Sequence, residues 1–498
     1  MLELTGFVQI DTGIHVITAF AGKENPTDVT TDDKDAIADY LEEVYSDGVG
    51  QSLAAGIAFT NSGFAQASWN DAKFRYKRKA YADFVLRGHQ HRDLEPILQA
   101  LEKDEYRAMV LRDNPNAPLC AFTGQPAYLR ISRDMLPMLN GRGVINFGGL
   151  GLAGLPVSDI ALLAIHAMPL GCVISQGRLL AIESDDPELA FDFVRFNLEN
   201  NRRNIAAAKS AGWKKLPNQT AFKTTLIDGL MRIRNLPKGH ARFKRRLPSL
   251  TAYHFSNSGT DPKIDIYSLP SSVVDFVITA SQGQYQAAWG QIVASAWQED
   301  KSEAQEKEDA EPKLTRRNYL YEDIFGLPDN ARHFIRTYFL RQPMGKIKKD
   351  VRSTYSLRRE ANLISWELTD LFLKRMMNVE KARIDNIRTL GDRLAEHIAA
   401  RNDTRLLREL YGARDYRAFR LALLRAIRGY VGDAPLVEFD GYVSIFEEAE
   451  EFARLDWNLA RDLLLIRIFE QLHRIGQLNE LADSLADVDA ETADQATA

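Results

Sequence analysis

The chain has 498 residues, 45% of them hydrophobic and 26% charged, and a formal net charge of -5. That length exceeds what one core usually supports, roughly 250 to 300 residues, so two or three domains are expected. Ordinary composition excludes overall disorder, the lack of any run of about 20 apolar residues excludes a spanning helix, and Cys120 and Cys172 alone exclude a disulfide framework. The start, "MLELTGFVQIDTG", has no basic stretch before an apolar core, so the expectation is a cytoplasmic protein without a secretory signal.

Along the chain, "GFVQIDTGIHVITAF" is rich in β-branched and aromatic residues and predicts one or two strands around a turn at Asp11 to Gly13. A helix follows from about Asp33 to Tyr45, and residues 51 to 155 mix short apolar runs with Gly, Pro and Asn, as an irregular α+β region would. Ser158 is placed to cap a helix over 158 to 168. Strands at "CVISQG" and "RLLAIES" precede a helix from Pro187 to about Ala211. Residues 212 to 260 carry a basic block and end in the loop "YHFSNSGTDP".

Residues 298 to 313, "QEDKSEAQEKEDAEPK", are dense in charge and predict a linker. Beyond it the pattern becomes helical. Leu363, Ile364, Leu368, Leu371 and Phe372 form one stripe; Ile384, Ile387, Leu394 and Ile398 form another, and Tyr416, Phe419, Leu423, Ile427 and Tyr430 a third. The fold class is therefore α+β: an irregular mixed N-terminal domain over 1–297, the linker at 298–313, a C-terminal helical bundle of about five or six helices over 314–478, and an acidic disordered tail over 479–498.

Charge is unevenly placed. Between residues 201 and 250 thirteen Lys and Arg face one acid, Asp228, and between 331 and 360 nine basic residues face Asp350 and Glu360. "KFRYKRK" at 73 to 79 is a third block. Three such blocks fit a nucleic-acid backbone better than a solvated face does. Trp213, Phe222 and Phe243 interleave the largest block, which suits stacking on an unpaired strand.

No chemistry stands out against this. Gly149, Gly151 and Gly154 match the dinucleotide spacing G-x-G-x-x-G, but Pro156 follows and the next helix is expected four residues too late for the third glycine to open it. A nucleotide-dependent enzyme built on Gly149 to Gly154 is kept as an alternative, as is a helical adaptor without a nucleic-acid role. The "HQH" at 89 to 91 reads as a surface loop, and a knuckle at Cys120 would need a cysteine where Thr123 stands. Neither catalysis nor a metal or other cofactor is expected.

The segments "CAFTGQPAYLRISRDMLPMLNGRGVINFGGLG", "LPVSDIALLAIHAMPLGC", "RRNYLYEDIF", "MMNVEKARIDNIRTLGDRLAEHI" and "WNLARDLLLIRIFEQLHR" together resemble the large subunit of type I CRISPR interference complexes (Cascade), in the type I-B group with its myxobacterial-like variant. The resemblance implies a degenerate zinc-ribbon-like segment at about 118–175 and a C-terminal bundle resembling the Cascade small subunit. It implies recognition of a protospacer-adjacent motif in double-stranded DNA, duplex opening and R-loop stabilisation. The implied partners are crRNA, target DNA, the Cascade backbone and small subunits, and a helicase-nuclease or transposition adaptor, with no membrane. An internal start at Met344, Met376 or Met377 would yield a separate small subunit, and of these only Met344 precedes every apolar stripe named above.

Three sets of residues are the candidates. Asn140, Arg142, Asn146, Gly148 and Gly149 form a loop able to approach groove edges or phosphates. Arg75, Lys77, Arg78, Arg202, Arg203, Lys214, Lys215, Arg242, Lys244, Arg245 and Arg246 are expected on a DNA or RNA backbone. Arg332, Arg336, Arg341, Lys346, Lys348, Lys349, Arg358 and Arg359 would give the bundle a positive edge for the displaced strand.

Overall fold

The computed structural model describes residues 2–46, 64, 75–90, 93–102, 104–112, 116–131, 154–212, 216–219, 221–235, 247–256, 263–299, 313–314, 316–344, 350–432, 434–448 and 452–478. The fold is mixed α+β and falls into two compact units, Met1–Pro270 with Asp300–Arg316, and Ser271–Glu299 with Arg317–Ala498. Among the described residues no helix is long and apolar enough to cross a membrane.

In the first unit the opening segment corrects the expectation of strands: it is one helix, α1 (Val8–Phe20). Ile10, Ile14 and Ile17 recur at helical spacing and are fully buried, so tertiary burial overrides the β propensity of the sequence. Asp11 makes no turn. Its carboxylate accepts hydrogen bonds from the backbone N–H groups of Thr5 (2.6 Å) and Gly6 (2.8 Å), organising the lead-in to the helix. Gly13 has a packing reason, because a Cβ there would lie 1.9 Å from the carbonyl oxygen of Ala164.

Helix α2 (Thr31–Ser46) follows, then α3 (Arg75–Leu86), α4 (Glu95–Leu101) and α5 (Asp104–Met109). Strands β1 (Leu129–Ile131) and β2 (Leu155–Val157) pair antiparallel. Ser158 then caps α6 (Asp159–Ala167), its hydroxyl accepting from the Ala161 N–H at 3.3 Å, as the sequence predicts. Helix α6 is buried from Ala161 to Ala167 and packs against α1, α2 and α3, which makes it the central post of this unit.

Strands β3 (Val173–Ser175) and β4 (Arg178–Ser184) stand where strands are expected and pair as a hairpin, turning at Gln176 and Gly177, both with positive φ (53° and 72°). Helix α7 (Pro187–Ala211) has the predicted bounds. Asp186 caps it, accepting from the Glu188 N–H at 3.0 Å, and Gly212 ends it at φ 69°. After β5 (Asn218–Gln219) and α8 (Phe222–Arg234), β6 (Leu250–Ser256) and β7 (Lys263–Leu269) form a second hairpin. Sequence patterning missed it because the surrounding basic and turn residues obscure the alternation. Register against β4, from Leu179↔Phe255 to Ser184↔Leu250, decides it. With β9 (Lys313–Leu314) these strands make a six-stranded sheet in the order β7-β6-β4-β3-β5-β9.

The second unit begins earlier than the predicted boundary at 297. Helix α9 (Ser271–Ala280) buries Val273, Val274, Phe276, Val277 and Ile278, and the Phe276 ring meets Trp289, Phe334 and Phe372 edge-on at 5.1 to 6.4 Å. That aromatic core requires the segment 271–299, including α10 (Gln286–Ser295) and β8 (Trp297–Glu299), to belong with the helices that follow. Of the predicted linker, residues 300–312 lie outside the described residues.

Strand β10 (Arg316–Asn318) pairs with β8 and leads into α11 (Tyr319–Ile324) and then a short helix, Ala331–Phe334, that continues as the π-helical segment Ile335–Phe339. Then come α12 (Trp366–Met376), α13 (Lys381–Arg401), α14 (Thr404–Gly412), α15 (Tyr416–Gly429), α16 (Phe439–Phe446) and α17 (Trp457–Arg474). Ser365 caps α12 by accepting from the Leu368 N–H, so Leu363 and Ile364 precede the helix instead of lying on it, although both are buried. The stripe Ile384, Ile387, Leu394 and Ile398 is buried on α13 as expected. Helix α17 is buried on nearly every side from Leu459 to Leu472. The predicted tail over 479–498 lies outside the described residues.

Candidate nucleic-acid interface

The loop of Asn140, Arg142, Asn146, Gly148 and Gly149, expected to read the motif, lies outside the described residues, as do Lys214, Lys215, Arg242, Lys244, Arg245, Arg246, Lys346, Lys348, Lys349, Trp213 and Phe243. Of the dinucleotide spacing only Gly154 is described, with φ 93°. A Cβ there would come within 3.0 Å of the Ile131 carbonyl oxygen. This glycine turns the chain into β2, and the helix begins only at Asp159, so it does not open a helix as a pyrophosphate-binding glycine must.

Cys120 sits in a tight turn closed by its N–H to the Gln125 carbonyl (2.7 Å) and by the Gly124 N–H to its own carbonyl (3.1 Å). Its Sγ accepts from the Phe122 N–H at 3.4 Å, and Thr123, in the place of a second knuckle cysteine, contacts the Ser158 hydroxyl at 3.1 Å. Burial pushes the Cys120 thiol up, and hydrogen bonds from Thr123 and Ser158 and near Phe122 pull it down further, leaving it below its ordinary value. Cys172 is buried elsewhere, and among the described residues no three His, Cys, Asp or Glu are grouped to hold a metal. His89 and exposed Gln90 lie in the turn after α3, with the His89 ring tucked in and its Nε2 2.6 Å from Asp35, and His91 lies outside the described residues.

The candidate cations of the first unit that are described fall into two places. Arg75, Lys77 and Arg78 form the first turn of α3. Lys77 is paired with Glu102 at 2.6 Å, while Arg78 is half-buried and its guanidinium is lowered by burial and by Arg75 beside it. Arg202 and Arg203 lie exposed on the last turns of α7 with Lys209. Glu42 of α2 is close enough to Arg78 to act on its charge, and the next residue, Glu43, pairs with Lys209 at 3.0 Å. Helix α2 thus stands between the two cationic groups and places one acid against each.

Arg202 is the best organised of these groups. Its guanidinium lies 5.1 Å over the Phe20 ring and 5.5 Å over the Tyr40 ring. Such contacts at exposed sites contribute about 0.5 to 1 kcal/mol and hold the planar cation in place without neutralising it. Burial raises the Tyr40 phenol above its ordinary value, with Arg202 opposing, so the hydroxyl stays protonated. A cleft of about 620 Å³ opens here, lined by Tyr40, Glu43, Glu199, Arg202, Arg203 and Lys209 among others. Its electrostatics are mixed, with three cations against two acids, so it favours an anion only moderately.

In the second unit the predicted positive edge divides. Arg341 is completely buried, 3.6 Å over the Tyr355 ring and bonded to Glu360 (2.7 Å) and Ser295 (3.2 Å), so it is a core residue and leaves the set. Arg336 donates to Gln342 at 2.8 Å and lies 3.6 Å from buried Asp462. Arg332, Arg358 and Arg359 are exposed, and Arg359 donates to the Thr354 carbonyl at 3.0 Å. A second arginine group went unread: residues 401 to 428 carry eight arginines against Asp403, Glu409 and Asp415, which a charge count over that window would have found. On α15 the exposed face sets Leu421 and Leu424 between Arg417 and Arg428. The aromatic backing of Arg202 had no local signal, because Phe20, Tyr40 and Arg202 come from three separate helices.

No known protein family, curated protein or solved structure matches the chain.

Proposed function

We propose that this chain is a non-catalytic nucleic-acid-binding protein, the large subunit of a crRNA-guided type I CRISPR interference complex that recognises a protospacer-adjacent motif, promotes duplex opening and stabilises the R-loop. The observation carrying the nucleic-acid reading is the end of α7, where Arg202 is held over Phe20 and Tyr40 beside exposed Arg203, within the stretch of thirteen basic residues against one acid. A guanidinium held flat over two rings, with no carboxylate on it among the described residues, keeps its charge for a phosphate and offers its own plane to a base. The assignment to a guided complex is supported by the ordered resemblance of segments from Cys120 to Arg474. In this reading phosphate contacts give affinity, a loop senses the motif, and guide pairing supplies sequence specificity.

The test is co-purification of the tagged chain expressed with its neighbouring genes and a repeat-spacer RNA. Recovery of a crRNA-containing assembly is the expected result. A monomer free of RNA and partners overturns the guided-complex reading, and the absence of salt-dependent binding to any DNA or RNA overturns the nucleic-acid reading beneath it.

A further inference from the structure

A second cleft, of about 480 Å³, lies on the other flank of Arg203, between α7 and α8 with β3 at its back. Its origin is the segment "NLENNRRN", which places Asn197, Asn200, Asn201 and Asn204 at i, i+3, i+4 and i+7, one face of α7. The inner pair is structural. Asn197 donates to the Gly171 carbonyl at 3.0 Å, and Asn201 to those of Leu170 and Cys172 at 2.9 and 2.8 Å, fixing the turn before β3. The outer pair faces the cleft. Asn200 accepts from Arg203 at 2.5 Å, and the Asn204 carboxamide has no hydrogen-bond partner among the described residues.

Half-buried Phe196 and Pro217 supply apolar walls, and Arg203 and Arg232 are on the rim. Arg232 is 64% exposed and already paired with Asp228 at 2.8 Å, which leaves Arg203 the better placed of the two cations for an incoming anion. The volume lies in the usual small-ligand range of roughly 300 to 1,000 Å³. A flat wall, two carboxamides able to pair with donor and acceptor edges, and a rim guanidinium match one ligand chemistry: a heteroaromatic base joined to a phosphate.

We propose that the α7–α8 cleft seats a single unpaired nucleotide of the strand bound along α7, its base against Phe196 with Asn200 and Asn204 at its edge and its phosphate at Arg203. This rests on the nucleic-acid reading above and adds to it a seat for one particular base beside the α7 cations.

The experiment measures binding of the full chain to short single-stranded oligonucleotides by fluorescence anisotropy, moving one abasic position along the strand, in matched DNA and RNA series. The expected result is one position at which base removal weakens binding about tenfold, with the others near neutral, since stacking of one base contributes that order of affinity. Phe196→Ala and Asn204→Leu should each erase that positional sensitivity while leaving the salt dependence unchanged. Asn204→Leu, at a partly exposed helical site, covers the case in which Phe196→Ala does not fold. The series showing the sensitivity identifies the strand as DNA or RNA. Binding with no sensitive position in either series, or sensitivity that survives Asn204→Leu, overturns the seat and leaves the α7 reading standing. No binding of any oligonucleotide overturns both.

Discussion

Arg202 and Arg341 are both arginines laid on tyrosine rings, and they do opposite things. Arg341 is closed off from water, 3.6 Å over Tyr355, with Glu360 at 2.7 Å to compensate its charge. Arg202 lies more loosely over Phe20 and Tyr40 and stays exposed. The ring contact is common to both; the carboxylate and the burial differ. A guanidinium with a carboxylate in a dry site stiffens a core, whereas one backed by rings at a wet edge keeps its charge available to a partner.

The same contrast extends to acid sensitivity, and the largest expected effect follows from it. In the first unit burial pushes the His15 and His166 imidazoles down from 6.5 to about 4, so both are neutral in the fold. Below pH 6.5 the unfolded chain takes up protons that the native state refuses, so stability falls from about pH 6.5 down to about pH 4, by roughly 3 kcal/mol at most for each histidine. In the second unit Asp323 and Asp456 are held below the usual carboxylate range: burial acts to raise them, and His333 at 3.7 Å with hydrogen bonds from Arg352 and Tyr338 to Asp323, and hydrogen bonds from Arg383 to Asp456, outweigh it. Stability from those groups is present above the unfolded carboxylate value, near 4, and is lost only beneath it. Denaturant titrations across pH should show the first unit losing more stability between pH 6.5 and 4 than the second, where burial also lowers His397, and His166→Leu should flatten the first unit's slope. Equal losses over that range would break the comparison.

Next in size is Arg341→Met, which leaves Glu360 without its cation and should destabilise the second unit by about 3 kcal/mol in equilibrium unfolding, with DNA affinity unchanged. A loss of DNA binding without a loss of stability would return Arg341 to the interface. Arg202→Ala with Arg203→Ala should do the reverse. Folding stays intact, and the plot of log affinity against log salt becomes shallower by about one for each phosphate contact removed. Arg202→Lys keeps the charge and loses the flat stacking, so it should recover much of the slope but less of the affinity. The smallest effect belongs to Arg107→Ala: its pair with Glu95 is at the surface, with both side chains about half exposed, and the expected change in melting temperature is below detection.

Local signals made much of the fold readable. Ser158 and Asp186 mark two helix starts because a side-chain oxygen there caps the helix whatever lies around it, and Pro187 and Gly212 bound α7 by their own backbone preferences. The stripe on α13 was visible because the 3.6-residue period survives in sequence. The site was only partly readable. Clustered charge pointed to Arg202 and Arg203, but the same kind of count over 331–360 placed buried Arg341 on the bundle's positive edge, since composition carries no information on burial.

By itself, then, the sequence determined the mixed α+β class, the helix limits at capped positions, the change to helical patterning in the C-terminal region and the basic bias near α7. Tertiary structure alone decided that the β-branched opening is helix α1, through burial of Ile10, Ile14 and Ile17 and the close approach at Gly13. It decided that 271–299 joins the second unit, through the rings around Phe276, and that one arginine is core while another faces solvent. The physical reason is the range of the forces: caps, turns and periodicity act within a few residues, whereas burial, ring packing and ion pairing join residues the chain keeps far apart.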